Sequence, residues 1–160
     1  MEYKNVIAID AMGGDNAPAE IIKGAIEAIN ERADIKLRLF GDKDKIETEL
    51  NKYTYNKEQI EITHTTEEIS CNEAPAMAIK KKKDSSLVVA MKLVRDGKAD
   101  AIVSAGSTGA ILVGGQLVVG RIKGIKRPAL APFLPSKNGF SLLIDCGANV
   151  DARPEHLVQF

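Results

Sequence analysis

Three glycine-bearing stretches hold the residues best suited to chemistry. Asp10-Ala11-Met12-Gly13-Gly14-Asp15 brackets a glycine doublet with two carboxylates, and Ser104-Ala105-Gly106-Ser107-Thr108-Gly109 sets two hydroxyls between glycines. The third, Asp145 to Arg153, combines an aspartate, Asn149 and an arginine. Glycine lets backbone approach a ligand closely, and short polar side chains orient an oxyanion or hold a loop. Backbone amides around Gly106 and Gly109 can receive phosphate. The same stretch also reads as an ordinary strand-to-helix turn, with Thr108 as the helix cap and the glycines serving packing. A Walker A loop is absent, and so is GxGxxG. With alanine at the first glycine of GxSxG, Ser107 approximates a nucleophile elbow, and Asp145 and His156 follow in hydrolase order only 11 residues apart. Asp10 and Asp15 suit a metal or a substrate, or else a turn and a helix cap. His64, between threonines, reads as an exposed residue of no special role.

The elements around these stretches alternate. Val6, Ile7 and Ile9 predict a buried strand over 4–10, and a helix follows with Asp15 or Asn16 as cap and Ile22, Ala25, Ile26 and Ile29 at helical spacing. A strand at 35–40, a short polar helix at 43–53 with Ile46 and Leu50 inward, and a strand at 60–63 repeat the unit. Pro75 can open a helix that four lysines end, Ser85 and Ser86 can cap the next one, and Gly97 stops it. A fourth strand falls at 101–104. An apolar helical segment at 110–119 is too short and too glycine-interrupted to span a bilayer. Further strands are expected at 130–134 and 140–144, and Pro154 introduces a final helix. This order predicts a single α/β segment with a largely parallel sheet and helices on both faces. In such sheets ligands bind beyond the carboxyl ends of the strands, where all three stretches fall. The last helix breaks off at Phe160 without a cap, so the sequence reads as part of something longer.

Composition narrows the function. With 160 residues, 44% hydrophobic and 28% charged, the proportions are globular, and roughly 70% of the unfolded surface is buried at this size without metal or disulfide staples. Cys71 and Cys146 have no ligand spacing, so no metal site or disulfide framework is expected, and such usage suits a reducing cytosol. The N-terminus lacks a signal-peptide pattern. The net charge is zero, which gives no reason to expect nucleic acid. Yet residues 80–127 carry 11 basic and 3 acidic side chains, a net of +8 that can steer an anion or an acidic partner, or simply form a solvated face.

Five motifs in register, IDAMGGD at 9–15, KKKKDSS at 80–86, SAGSTGA at 104–110, GRIKGIKRPALAPFLP at 120–135 and DCGANVDARPEHLVQF at 145–160, closely resemble the bacterial phosphate acyltransferase (PlsX) family over about the N-terminal half of its usual length. The resemblance implies a fold similar to that of isopropylmalate dehydrogenases and phosphotransacetylases. It implies an enzyme of phospholipid synthesis, a homodimer, cytoplasmic or peripheral to the inner face of the membrane. The reaction implied moves a fatty acyl group from acyl carrier protein to inorganic phosphate, giving acyl phosphate for a downstream glycerol-phosphate acyltransferase, with no cofactor. Phosphate or oxyanion contacts are then expected from Gly106, Ser107, Thr108 and Gly109, and from Gly13 and Gly14. Asp10, Asp15, Asp145, Asn149 and Arg153 line the cleft, and Lys82, Lys83, Arg121, Lys123, Lys126 and Arg127 dock the acidic carrier. The chain departs from the family pattern at Ser107, where asparagine is usual. A serine hydrolase using Ser107 and a non-catalytic anion-binding module remain the alternatives.

Overall fold

The alternation of side chains along the first strand, β1 (Asn5–Asp10), decides how the rest is arranged. Successive residues of a strand face opposite sides of the sheet. Ile7 and Ile9 therefore meet one helical layer, while Val6, Ala8 and Asp10 meet the other. The computed structural model describes residues 3–147 and 153–160, and its two compact units are Met1–Val119 and Gly120–Phe160.

In the first unit, β2 (Ile35–Gly41), β3 (Ile60–His64) and β4 (Ala101–Val103) join β1 in a parallel sheet of order β3-β2-β1-β4. On one face, α1 (Ala19–Glu31) and α2 (Lys43–Leu50) cover Ile9, Leu37 and Leu39 with Ile22, Ala25, Ile26, Ile29, Ile46 and Leu50. These are the apolar positions expected from helical spacing. On the other face, α4 (Ser86–Arg95) covers Ala8 and Phe40. A further cluster joins α4 to α3 (Pro75–Lys81) and α5 (Thr108–Gly114) through Ile79, Leu87, Val88, Met91 and Ala110. A π-helical stretch, Gly115–Val119, extends α5. Helices thus lie on both faces of a parallel sheet, as the sequence predicts. None of the described helices is long and apolar enough to cross a membrane.

Some caps agree with expectation and others differ. Asp42 caps α2, accepting from the amides of Asp44 and Lys45, and Ser85 caps α4 through the Val88 amide. Neither Asp15 nor Asn16 caps α1. Residues 14–17 instead close a turn, Ala17 N–H to Gly14 C=O at 3.3 Å, and α1 starts after Pro18 without a side-chain cap. Ser107, not Thr108, caps α5, accepting the Ala110 amide at 3.3 Å. In the second unit, the expected strands at 130–134 and 140–144 are β5 (Phe133–Ser136) and β6 (Gly139–Leu142), an antiparallel hairpin separate from the parallel sheet. Their residues are all exposed, so no pattern of burial fixed their limits in the sequence. The final helix, α6 (Pro154–Gln159), begins at the predicted proline.

The start of α4 is tied to the chain leaving β3. Glu67 N–H donates to Asp84 C=O, Ser86 N–H to Glu67 C=O and Asp84 N–H to the Glu67 carboxylate. Thr66 gives both its amide, at 2.9 Å, and its hydroxyl, at 2.6 Å, to Asp84 Oδ2. The hydroxyl first, and then the amide, hold the Asp84 carboxyl below the ordinary aspartate range against a smaller opposing effect of burial. A folded-state pKa depressed in this way contributes stability above the unfolded value, and that stability is lost as pH falls through the folded one. Thr66→Val removes the stronger donor. The Asp84 titration midpoint, followed by carboxyl-carbon NMR, is expected to rise toward the ordinary value, and an unchanged midpoint would show that the hydroxyl is not its cause.

Candidate functional site

Strand order locates the crevice. The chain passes from β1 outward to β2 and β3, then returns to the opposite side of β1 as β4. Loops leaving β1 and β4 therefore diverge at the point where the connection reverses, the usual ligand position in open α/β sheets. Those loops are the first two glycine-bearing stretches, residues 10–15 and 104–109.

One carboxylate joins them. Asp10 is 3% exposed at the end of β1, on the face covered by α4. Its Oδ1 accepts from the buried Ser86 hydroxyl at 2.6 Å and, more weakly, from Met12 N–H at 3.3 Å. Its Oδ2 accepts from the Ser104 hydroxyl at 2.7 Å, and Ser104 Oγ in turn accepts Gly106 N–H at 3.1 Å. Donation to a carboxylate makes these hydroxyl bonds short and strong. A buried carboxylate requires such compensation. Local sequence marks Ser104 only as part of the loop and Ser86 only as a helix cap; their contacts with Asp10 appear in the structure. The alternation of β1 assigns Asp10 to the α4 face; that α4 brings a serine there is a fact of tertiary packing.

Gly13 and Gly14 are needed for space and conformation. A Cβ on buried Gly13 would collide with Asp10 Oδ2 and lie 2.8 Å from Ser104 Oγ. Gly14 has φ +105°, a region that side-chain-bearing residues rarely enter, and a Cβ there would lie 2.9 Å from Ala105 C=O. Gly106 abuts the other loop, its Cβ position being 3.3 Å from Gly13 Cα. The two loops pack backbone against backbone.

The remaining candidates divide by unit. Gly106 N–H is already engaged by Ser104, and the Ser107 hydroxyl oxygen by the Ala110 amide. Helix geometry leaves the Thr108 and Gly109 amides without an intrahelical acceptor. Gly109 also meets Pro75 at the start of α3, where a Cβ would lie 2.8 Å from the proline Cγ. Exposed Asp15 lines a cavity of about 510 Å³ with Met12, Gly14 and residues 68–72. Lys82 is not a free cation: its ammonium pairs with Glu73 at 2.7 Å and donates to Glu68 C=O at 2.7 Å. That contact, with help from the Ser70 amide, holds the Glu73 carboxyl low. Lys83 is exposed, and its carbonyl accepts from Lys92 Nζ.

In the second unit, Asp145 Oδ1 accepts Leu130 N–H at 2.7 Å and Gly147 N–H at 2.9 Å, fixing the chain around the hairpin. Exposed Arg153 precedes α6, and its amide donates to His156 Nδ1 at 3.3 Å, so that imidazole nitrogen serves the helix start. Asn149 lies outside the described residues. Arg121 donates to Lys126 C=O, Lys126 Nζ lies 3.7 Å from Glu155, Lys123 is exposed and Arg127 is half-buried. Among the described residues, no group of three or more His, Cys, Asp or Glu side chains is disposed to hold a metal ion. His64 is exposed, and its Nδ1 accepts Lys43 N–H at the start of α2.

Residues 5–160 match a family described as fatty acid synthesis protein. The chain belongs to this family. It is the family of the phosphate acyltransferases that the five sequence motifs resemble. Over 155 residues the chain is 56% identical to a phosphate acyltransferase of Clostridium kluyveri, covering 97% of this chain and 46% of that protein. A phosphate acyltransferase of Clostridium acetobutylicum is 54% identical over 155 residues, 97% of this chain and 47% of that one. Another from Clostridium beijerinckii is 54% identical over 154 residues, 96% and 46% respectively. The chain spans about half the length of the curated relatives it matches.

The packing of Gly13 against Asp10 gives a direct test of the loop junction. Gly13→Ala is expected to destabilise the fold by about 1–3 kcal/mol through overpacking. Gly24→Ala, within α1 and with nothing inside 4 Å of its Cβ position, is expected to be neutral or mildly stabilising. Urea unfolding of both variants checks this. Equal stability of the Gly13 variant and wild type would show that the junction yields freely.

Proposed function

We propose that this chain supplies part of the active site of an acyltransferase of phospholipid synthesis, which moves a fatty acyl group from acyl carrier protein to inorganic phosphate. The observation that carries the reading is the more than 50% identity to relatives named phosphate acyltransferase across nearly all of this chain. The geometry is compatible with it: two glycine-bearing loops meet at the switch point of a parallel sheet, and the backbone around 108–109 retains amides that the helix does not use.

In this reaction a phosphate oxygen attacks the thioester carbonyl carbon, the C–O bond forms and the C–S bond breaks. The electron pair leaves with sulfur, which takes up the proton given up by the attacking hydrogen phosphate and departs as the carrier thiol, and acyl phosphate is released. Phosphate is the nucleophile, so no enzyme serine or cysteine is acylated. Fixed donors meeting the developing oxyanion, and alignment of the two reactants, are what the protein contributes. Thr108 and Gly109 supply amides near the anion, Ser107 its hydroxyl, and Gly13 and Gly14 the clearance; Asp10 organises the loops. Asp15, Asp145, Asn149 and Arg153 remain proposed cleft residues. The whole enzyme acts as a homodimer in the cytoplasm, peripheral to the membrane, and passes its product to a glycerol-phosphate acyltransferase.

The test is mass spectrometry of the full-length enzyme supplied with acyl carrier thioester and phosphate. Acyl phosphate is the expected product, with little or none from the 160-residue chain alone. Ser107→Ala is expected to retain partial activity, because losing one hydrogen bond costs about 1–3 kcal/mol, a roughly ten- to hundred-fold slower rate. An acyl ester trapped on Ser107, with a loss of around a million-fold in the alanine variant, would establish the hydrolase instead. Phosphate binding with no acyl chemistry would establish a binding module.

The excess of basic residues over 80–127 supports docking of the acidic carrier, through Lys83, Arg121, Lys123 and Arg127 more than through Lys82 and Lys126, which pair with Glu73 and Glu155. Rim charges act mainly on encounter. Reversing Lys83 and Lys123 to glutamate is therefore expected to raise KM for the acyl carrier several-fold while kcat stays nearly constant, and added salt should mimic it. Kinetics insensitive to both changes would leave these lysines as solvated surface.

A further inference from the structure

We propose that Ser104 is a positioning residue for phosphate, acting through the hydrogen-bond relay Asp10–Ser104–Gly106. This rests on the acyltransferase reading above. The relay has a direction set by chemistry. A carboxylate only accepts, so the Ser104 hydroxyl must spend its single proton on Asp10 Oδ2, 2.7 Å away. Its lone pairs are then left to accept, and they take Gly106 N–H at 3.1 Å. The carboxylate thus fixes the rotamer of a hydroxyl, and the hydroxyl fixes the first glycine of the loop that leads to Ser107, Thr108 and Gly109.

Ser86 anchors the same carboxylate from the other side. Its hydroxyl donates to Oδ1 at 2.6 Å, from a position 76 residues away on α4. Asp10 cannot swing to follow the loop, because Ser86 holds one oxygen and buried Gly13 leaves no space beside the other. The Gly106 amide is thereby withdrawn from any ligand. Its work is to set the distance between the β1 and β4 loops, which pack backbone to backbone at Gly13 and Gly106. The two serines consequently have different duties. Ser86 secures the carboxylate to the fold, and Ser104 transmits its position to the ligand-facing backbone.

Steady-state kinetics on the full-length enzyme, with acyl carrier thioester and inorganic phosphate varied separately, test this. Ser104→Ala is expected to lower kcat/KM for phosphate roughly ten- to hundred-fold, as for one mispositioned contact set, with KM for the acyl carrier nearly unchanged. Ser86→Ala, which leaves the Ser104–Gly106 link in place, should lower the unfolding midpoint while lowering kcat/KM for phosphate by clearly less than Ser104→Ala does. If Ser104→Ala does not fold, Ser104→Cys keeps the size while offering only a weak donor and acceptor, and carries the same expectation. A folded Ser104 variant with wild-type kinetics for phosphate overturns the proposal. Equal losses toward both substrates, or equal kinetic losses from Ser86→Ala and Ser104→Ala, also overturn it, since a general loosening would produce them. A wild-type enzyme that forms no acyl phosphate would instead remove the acyltransferase reading, and the phosphate role of Ser104 with it.

Discussion

A carboxylate taken out of water at the end of a strand sets the terms for everything around it. Leaving Asp10 unpaired at 3% exposure would cost several kcal/mol, so the fold must bring donors to it. It brings them from two places far apart in sequence, α4 and the end of β4. That requirement fixes the start of α4 against β1, and the lacing of residues 66–67 to 84–86 supports the same junction from behind. It also fixes how close the two glycine-bearing loops come. The backbone proposed to face the ligand is therefore shaped by a group that is itself shielded from solvent.

This arrangement divides labour within the crevice. Glycines 13, 14 and 106 supply clearance, while Asp10, Ser86 and Ser104 supply rigidity. In the proposed reaction the substrate anion is the nucleophile, so little covalent participation would be asked of the protein and preorganised geometry would be its main contribution. A network whose members are all hydrogen-bonded suits that purpose, because a partly satisfied one would loosen the loops it is meant to hold. The engagement of Lys82 with Glu73 and Glu68 illustrates the same economy at the surface, where one lysine of a run of four is structural.

Much of this was legible in the sequence wherever one physical signal dominated. The helical spacing of Ile22, Ala25, Ile26 and Ile29 has only one reading when an apolar strand precedes it, and α1 buries those four residues. Pro75 and the Ser85-Ser86 pair mark helix starts because few other positions suit them, and the structure uses Ser85. The first two glycine-bearing stretches follow β1 and β4 of the parallel sheet, as the alternation of elements predicts, whereas the third follows the antiparallel hairpin, and alternation alone does not give the strand order that marks the crevice. Caps were less legible: Ser107 and Thr108 carry equivalent hydroxyls one residue apart, and local sequence does not choose between them. The limits of β5 and β6 were obscured because every residue there is exposed. Least legible was the Asp10 network, whose serine partners stand 76 and 94 residues away. A single sequence carries no record of which distant hydroxyl answers a given carboxylate.

The tight seat of Gly13 against Asp10 and Ser104 bears on how this protein can change over time. Positions 10, 13, 104 and 106 share atoms' worth of space and one chain of hydrogen bonds, so the effect of altering any one depends on the state of the others. A side chain at position 13 becomes admissible only if position 10 shortens, and a shorter residue there strands the hydroxyls of both serines. The quartet is an epistatic block. Drift among descendants is expected to pass around it, through surface positions such as Lys80 or Glu27, or to cross it in several simultaneous steps.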